Sequence, residues 1–324
     1  MSDIVVFVRS HKRYGDQVVA YPALFQLKQW WPKKRLRVVS RFEVGHYYTE
    51  LPWVDEFISV KGVVQHLRCL DRNTELSVNL HHSSERYGLV NMVRRPTMRM
   101  GFRNARLFDF AWTHHHQKDI NEYIGFANLQ MLAKHQTFSA TVAAKQCFAE
   151  IAKPHIGKVD SADVVLIPGG GSGEFKRWSW RHYVALTDLL KSELGPSATF
   201  TFVLGPCEEA ERACIGALAR SDFRIEFGRS IPELAAIMLN ARLVVANDCG
   251  PSHIAQGLCV PYVGVFNAPN PEWFWSKPQS LDVVPESGAT DINSITPERV
   301  LQACRAVLAP VDATDTHAVL QLVS

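Results

Sequence analysis

Leu243-Val244-Val245-Ala246-Asn247-Asp248-Cys249-Gly250-Pro251-Ser252-His253-Ile254-Ala255-Gln256-Gly257 is the stretch on which the fold turns. Its unbroken apolar start suits a strand buried on both faces, and it passes through Asn-Asp-Cys-Gly into a helix with proline near its first turn. Strand, short turn and helix make the unit of a parallel sheet with crossover helices. Outward from it, the second half of the chain predicts further strands at 164–167, 199–204, 223–227 and 262–266. The first half predicts strands at 4–9, 36–40, 57–60, 76–80 and 97–101. Between its first two strands, residues 18–30 read as one helix, because Val18, Ala20, Leu24, Leu27 and Trp31 share a face. Pro32 stops it.

A chain of 324 residues exceeds one ordinary core and suits two α/β domains. The polar stretch 150–161, with Pro154 and Gly157, reads as the linker. The expected domains are therefore 1–156 and 157–324. A closing helix at 298–308 is started by Thr296-Pro297-Glu298, and it belongs to the second domain or returns to the first. The expected architecture is α/β: two Rossmann-like domains with mainly parallel sheets facing a central cleft. Ligands of such sheets bind outside the carboxyl ends of the strands.

Composition narrows the class. With 47% hydrophobic and 21% charged residues, the chain reads as a soluble globular enzyme rather than a disordered one. A net charge of +3 argues against a nucleic-acid partner. Residues 1–9 read as a first strand rather than a signal peptide, and no run approaches the ~20 apolar residues of a membrane span. The seven cysteines are scattered, odd in number and without a CxxC, so neither a disulfide framework nor a zinc site is expected. A reducing, cytoplasmic setting fits.

Three loops carry chemistry. Val165-Leu166-Ile167-Pro168-Gly169-Gly170-Gly171-Ser172-Gly173-Glu174-Phe175-Lys176-Arg177-Trp178 runs from a buried strand through a glycine-rich loop toward a helix beginning near Ser179. Glycines let backbone N–H groups approach a phosphate, and Lys176 or Arg177 adds positive charge. Taken alone, the loop can also be read as a flexible surface turn. The opening stretch places Asp248, Cys249, Gly250 and His253 at a helix N-terminus suited to a diphosphate, although Asp248 alone could be a cap and His253 a core residue. Arg9-Ser10-His11-Lys12-Arg13-Tyr14-Gly15-Asp16-Gln17-Val18 leads from the first strand through a basic loop to an acid at a helix start. Asp16 is either a cap or a general base beside cations that attract an anionic acceptor. His114-His115-His116 invites a metal reading, but adjacent histidines rarely face one ion. Trp273-Phe274-Trp275 lines a pocket or packs a core.

With these loops in place the chain resembles the lipopolysaccharide heptosyltransferases, glycosyltransferase family 9, of GT-B fold. Gly15-Asp16-Gln17-Val18-Val19-Ala20-Tyr21-Pro22-Ala23-Leu24 is similar to the family's opening G-D-hydrophobic-P-A-L segment. Leu51-Pro52-Trp53-Val54-Asp55 follows it, and Pro168-Gly169 with Lys176-Arg177-Trp178 resembles the donor loop. Asn247-Asp248-Cys249-Gly250-Pro251-Ser252-His253-Ile254-Ala255 resembles the D-T-G-x-x-H-x-A motif, and Pro261-Tyr262-Val263-Gly264-Val265-Phe266 the strand after it. The resemblance covers nearly the whole chain, with every match in order.

It implies inverting, metal-independent transfer of a heptose from ADP-heptose to the acidic inner core (Kdo or heptose) of lipopolysaccharide, with no cofactor beyond the nucleotide-sugar co-substrate. Asp16 is the implied base. The implied donor-binding residues are Gly170, Gly171, Ser172, Lys176, Asp248, Cys249, Gly250 and His253. Glu209 is the implied ribose acid, with Glu208 next in line. Cys249 departs from the family's usual threonine; a thiol is a poorer hydrogen-bonding partner, which leaves the backbone N–H as the contact. Among the first domain's cations, Arg9, Lys12, Arg13, Arg94 and Arg95 are the acceptor candidates, with Arg86, Arg99 and Arg103 adding to the positive field. A lipid-linked anionic saccharide acceptor implies peripheral contact with the inner membrane face. Asp16 would take the acceptor proton while Lys176 and the helix start at Gly250 meet the charge on the leaving diphosphate, closure excluding water. Two rivals are a different GT-B enzyme, using another glycosyl donor or epimerising a nucleotide sugar, and a non-catalytic sugar-nucleotide-binding protein. A dehydrogenase is disfavoured, since GxGxxG follows neither half's first strand.

Overall fold

The structure, a computed structural model, describes residues 3–82, 85–160, 162–171, 173–286 and 289–309. The chain divides into two compact units, Met1–Ile151 with Pro271–Trp273, and Ala152–Asn270 with Phe274–Ser324. Each is built on a six-stranded parallel sheet.

In the first unit the strands are β1 (Asp3–Phe7), β2 (Arg35–Ser40), β3 (Glu56–Ser59), β4 (Thr74–Asn79), β5 (Met98–Phe102) and β6 (His114–His116), in the order β3-β2-β1-β4-β5-β6. Its helices are α1 (Tyr14–Val18), α2 (Tyr21–Trp30), α3 (Gly62–Cys69), α4 (Glu85–Arg94), α5 (Ile124–Ala133) and α6 (Ala140–Ala152). Every residue of β1 is buried, as a central strand covered on both faces must be. The strand order reverses at β1, between β2 and β4, so the crevice for a ligand falls outside the ends of β1 and β4.

The second unit repeats the plan. Its strands are β7 (Val164–Ile167), β8 (Phe200–Leu204), β9 (Phe223–Phe227), β10 (Leu243–Asn247), β11 (Tyr262–Val265) and β12 (Ser280–Val283), in the order β12-β11-β10-β7-β8-β9. Its helices are α7 (Trp180–Leu194), α8 (Glu209–Gly216), α9 (Ile231–Leu239), α10 (Ser252–Leu258) and α11 (Pro297–Leu308). Here the switch point lies between β7 and β10, where the glycine-rich loop and the Asn-Asp-Cys-Gly turn emerge together.

Local chemistry accounts for the differences from the sequence expectation. The helix expected over 18–30 starts later, at Tyr21: α1 ends at Val18, and Pro22 in the first turn of α2 opens a new helix after Val19 and Ala20. Part of the expected linker is folded: α6 continues to Ala152, with Ile151 and Ala152 buried, and a 3-10 turn at Lys153–His155 packs on α9. The unit boundary therefore lies at 151/152. The closing helix is anchored in the second unit, where α11 packs on α7, β11 and β12. Its cap is Thr296, whose side chain accepts the Arg299 N–H at 3.4 Å. The histidine triplet is an edge strand whose side chains alternate faces. His116 meets Glu122 at 2.8 Å, and among the described residues no group of His, Cys, Asp or Glu could hold a metal ion.

A Cβ on Gly88 in α4 would stand 2.4 Å from Phe108 Cβ and 2.9 Å from its carbonyl oxygen, so glycine lets the loop before β6 lie on the helix. Gly88→Ala must move that backbone, an overpacking that costs about 1–3 kcal/mol. A melting temperature equal to that of the parent protein would rule the contact out as a constraint.

Candidate functional site

At the first unit's switch point, the loop after β1 is shaped by Gln17. This fully buried side chain donates from Nε2 to the His11 carbonyl at 2.6 Å, and its Oε1 accepts the Tyr48 hydroxyl at 2.7 Å. The neighbouring Asp16 is 6% exposed, and its Oδ1 meets Arg9 Nε at 2.9 Å. Arg9 is held again by Glu272 at 3.8 Å and stands 5.4 Å from the Trp273 ring centre; Glu272 also takes Lys118 at 3.3 Å. A carboxylate fixed this way, beside a guanidinium at the mouth of a parallel sheet, can accept a proton from a bound hydroxyl. Lys12 lies on the same loop, over Phe42, with Arg13 following it.

Sequence reasoning missed His81 and His82, which follow β4 at the same edge. Burial, helped by Arg9 and His11, lowers the His81 imidazole to about 4, and burial holds His82 well below its ordinary value. Neutral imidazoles there can offer both a donor and an acceptor. Their signal was positional: they directly follow an apolar strand run, where ligand-facing residues of parallel sheets emerge.

Arg94 and Arg95 are not brought to this loop. Arg94 ends α4 and Arg95 follows it, just before β5 begins, at the amino-terminal edge of the sheet, about 16 Å of strand away. Arg94 Nε donates to the Leu67 carbonyl at 2.8 Å.

In the second unit the switch point is built around Asn247, fully buried at the end of β10. Its Nδ2 donates to the Pro168 carbonyl at 2.7 Å, and its Oδ1 accepts from Tyr183 Oη at 2.9 Å and Trp178 N–H at 3.3 Å. These bonds tie the ends of β7 and β10 to α7, whose first turn is capped by Ser179. Across the crevice Lys176 Nζ pairs with Asp248 Oδ2, and Asn270 Nδ2 donates to the same oxygen at 3.2 Å. A Cβ on Gly170 would lie 2.8 Å from Arg177 Cγ, whereas at Gly171 nothing stands within 4 Å, so its backbone faces open space. Ser172 lies outside the described residues.

The acid after β8 that joins this site is Glu208. It closes a cap with the Gly205 N–H at 2.8 Å, meets Arg177 at 3.1 Å and lies against Gly169. Glu209 is turned outward, exposed and paired with Arg212 at 3.2 Å. Cys249 is buried, and burial pushes its thiol up to about 12, which keeps it neutral. The aromatic triplet divides: Trp273 joins the first unit, while Phe274 and Trp275 are buried in the second, where Trp275 N–H donates to Gln256 Oε1 at 2.6 Å.

His253, in the first turn of α10, is buried, and burial lowers its imidazole to about 4 against Asp248's opposing pull. The unfolded chain protonates this residue near pH 6.5 while the folded chain resists until about pH 4. Its share of stability is therefore present above pH 6.5 and lost as pH falls through that window, by up to roughly 3 kcal/mol. Melting temperatures from pH 7 to 4.5 should fall less steeply in His253→Gln; parallel curves would refute the assignment.

The model of glycosyltransferase family 9 (heptosyltransferase) matches residues 82–284. No curated protein is close enough in sequence to match. Among solved structures, the chain is similar to E. coli ADP-heptose LPS heptosyltransferase II, with 17% identity, a TM-score of 0.61 and 94% of this chain and 98% of that one covered. It is similar to E. coli heptosyltransferase WaaC with ADP-2-deoxy-2-fluoro heptose, at 17% identity, TM-score 0.66 and coverage of 92% and 98%. A UDP-GlcNAc 2-epimerase from Methanocaldococcus jannaschii shares the fold at 12% identity, TM-score 0.59 and coverage of 95% and 92%. With the family model spanning well over half of the residues, and two parallel sheets of GT-B type on which it rests, the chain belongs to glycosyltransferase family 9, the heptosyltransferases.

Proposed function

We propose that this glycosyltransferase moves a heptose from ADP-heptose to the acidic inner core of lipopolysaccharide, with inversion and without a metal ion. The observation that carries the reading is the Lys176–Asp248 pair, which bridges the loops after β7 and β10 at the second sheet's switch point. A lysine there can meet the diphosphate and the charge it gains on leaving, as backbone N–H groups of the glycine loop meet its oxygens. Glu208, rather than the Glu209 that the resemblance implies first, is the ribose acid, since it alone of the two faces the glycine loop, and a carboxylate suits a ribose hydroxyl pair. The first unit supplies the base, Asp16, with Arg9, Lys12 and Arg13 attracting the anionic acceptor.

The test is a donor screen with ADP-, UDP-, GDP- and dTDP-sugars, following thermal shift and nucleotide release with and without excess EDTA. ADP-heptose should stabilise the protein most, and acceptor-dependent ADP release should survive chelation. Preference for another nucleotide would overturn the donor assignment. The shared fold of the 2-epimerase gives a second reading some footing; epimer or free sugar formed without any acceptor would favour it. Loss of activity in EDTA with rescue by Mg²⁺ would sink the metal-independent mechanism.

A further inference from the structure

We propose that the outer face of α4, with the loop at residues 103–110, docks on an anionic lipid surface. The inference rests on the lipid-linked acceptor of the reading above and gives it a place. Large apolar side chains stand out into solvent here: Leu107 is 76% exposed, Phe110 63%, Val93 59% and Leu89 37%. The loop that carries Leu107 and Phe110 is laid on the helix that carries Leu89 and Val93. Gly88 admits the Phe108 backbone, Leu89 follows Gly88, Val93 lies one turn on, and Leu107 and Phe110 flank Phe108. Exposed apolar groups gathered this way mark an interaction surface rather than ordinary scatter.

The charges around the patch choose the occupant. Arg94 and Arg95 at the end of α4 and Arg106 in the loop are exposed, whereas Arg86 is half-buried and its charge acts on His66 and His81. Against them stand two acids. Glu85 is 3.5 Å from Arg106, and Asp109 Oδ2 accepts the Asn104 and Arg106 N–H groups at 2.9 and 3.0 Å. The surplus is positive, as a bilayer rich in anionic headgroups requires. A second copy of the chain meeting this face two-fold would set arginines against arginines. Arg94 and Arg95, separated by the fold from the Arg9 loop, thereby gain a role on the opposite edge.

The experiment is flotation of the full chain with vesicles of phosphatidylcholine alone or mixed with phosphatidylglycerol, over a range of salt. The protein should float with the anionic vesicles and release as salt rises. Leu107→Ser with Phe110→Ser should weaken that binding by about a hundredfold if both side chains insert. Arg94→Gln with Arg95→Asn should weaken it by about fivefold for each charge removed; asparagine suits the positive φ of 49° at position 95. ADP binding and melting temperature should stay unchanged in both pairs, which separates lost docking from lost folding. No flotation at any salt, flotation indifferent to lipid charge, or a dimer that the Leu107/Phe110 pair abolishes would each overturn the proposal. Transfer to a water-soluble, lipid-free acceptor fragment is measured alongside. Its failure counts against the proposed function, and its persistence in variants that no longer float is expected.

Discussion

Asp16→Asn should lower turnover by about a hundredfold or more while leaving ADP affinity where it is, the usual scale for losing a general base. Asparagine keeps the shape and the contact to Arg9 but cannot take a proton. The rival reading makes Asp16 only the partner of Arg9, 2.9 Å away and nearly buried. Stripping one member of a buried pair is itself destabilising, by about 3–5 kcal/mol where no other charge compensates. Glu272 offers Arg9 a second carboxylate, so the stability loss should be smaller than that. The two readings separate on a pair of variants. If Asp16 is the base, Asp16→Asn loses kcat with a modest fall in melting temperature, while Arg9→Gln loses stability yet keeps measurable turnover. If Asp16 is structural, both variants melt earlier and both still turn over. Near-normal kcat in Asp16→Asn would end its assignment as base.

The parallel sheets were legible because their strands are short apolar runs covered on both faces, and β1, β7 and β10 are each wholly buried. The edge strands β6 and β12 were not: His114–His116 and Ser280–Val283 carry polar side chains, since an edge has little to bury. The break between α1 and α2 was written at Pro22 and outweighed by the apolar face that runs through it. Glu208 was only the second choice, behind Glu209. Gly205 and Glu208 have the spacing of a capping box, which turns the acid back onto the loop and leaves Glu209 to begin α8 facing water. Arginines were harder, because charge counts carry no direction. The strands expected at 4–9 and 97–101 already set Arg9 at a strand's end and Arg94 and Arg95 before one, and grouping them by charge overrode that direction.

The donor half carries the other large effect: Lys176→Ala should weaken ADP binding by about tenfold to a hundredfold, since a charged hydrogen bond is worth roughly 1.5–3 kcal/mol. The geometry adds a second contribution. Lys176 is paired with Asp248, so removing the lysine also leaves an almost buried carboxylate beside the place a phosphate would take. Asn270 still donates to that carboxylate at 3.2 Å and so keeps it in position. Part of the loss is therefore repulsion, and Asp248→Asn in the Lys176→Ala background should recover some affinity. In the parent background Asp248→Asn frees the lysine from its partner, so affinity should hold or rise unless Asp248 itself touches the nucleotide. Contacting residues of this kind do not add, and a double-mutant cycle by calorimetry isolates their coupling. Cys249→Thr, which restores a hydroxyl at a buried neutral thiol, should leave ADP binding unchanged or tighter. If Lys176→Ala binds ADP like the parent protein, the phosphate does not lie between the loops after β7 and β10, and the donor site must be sought elsewhere on the second unit.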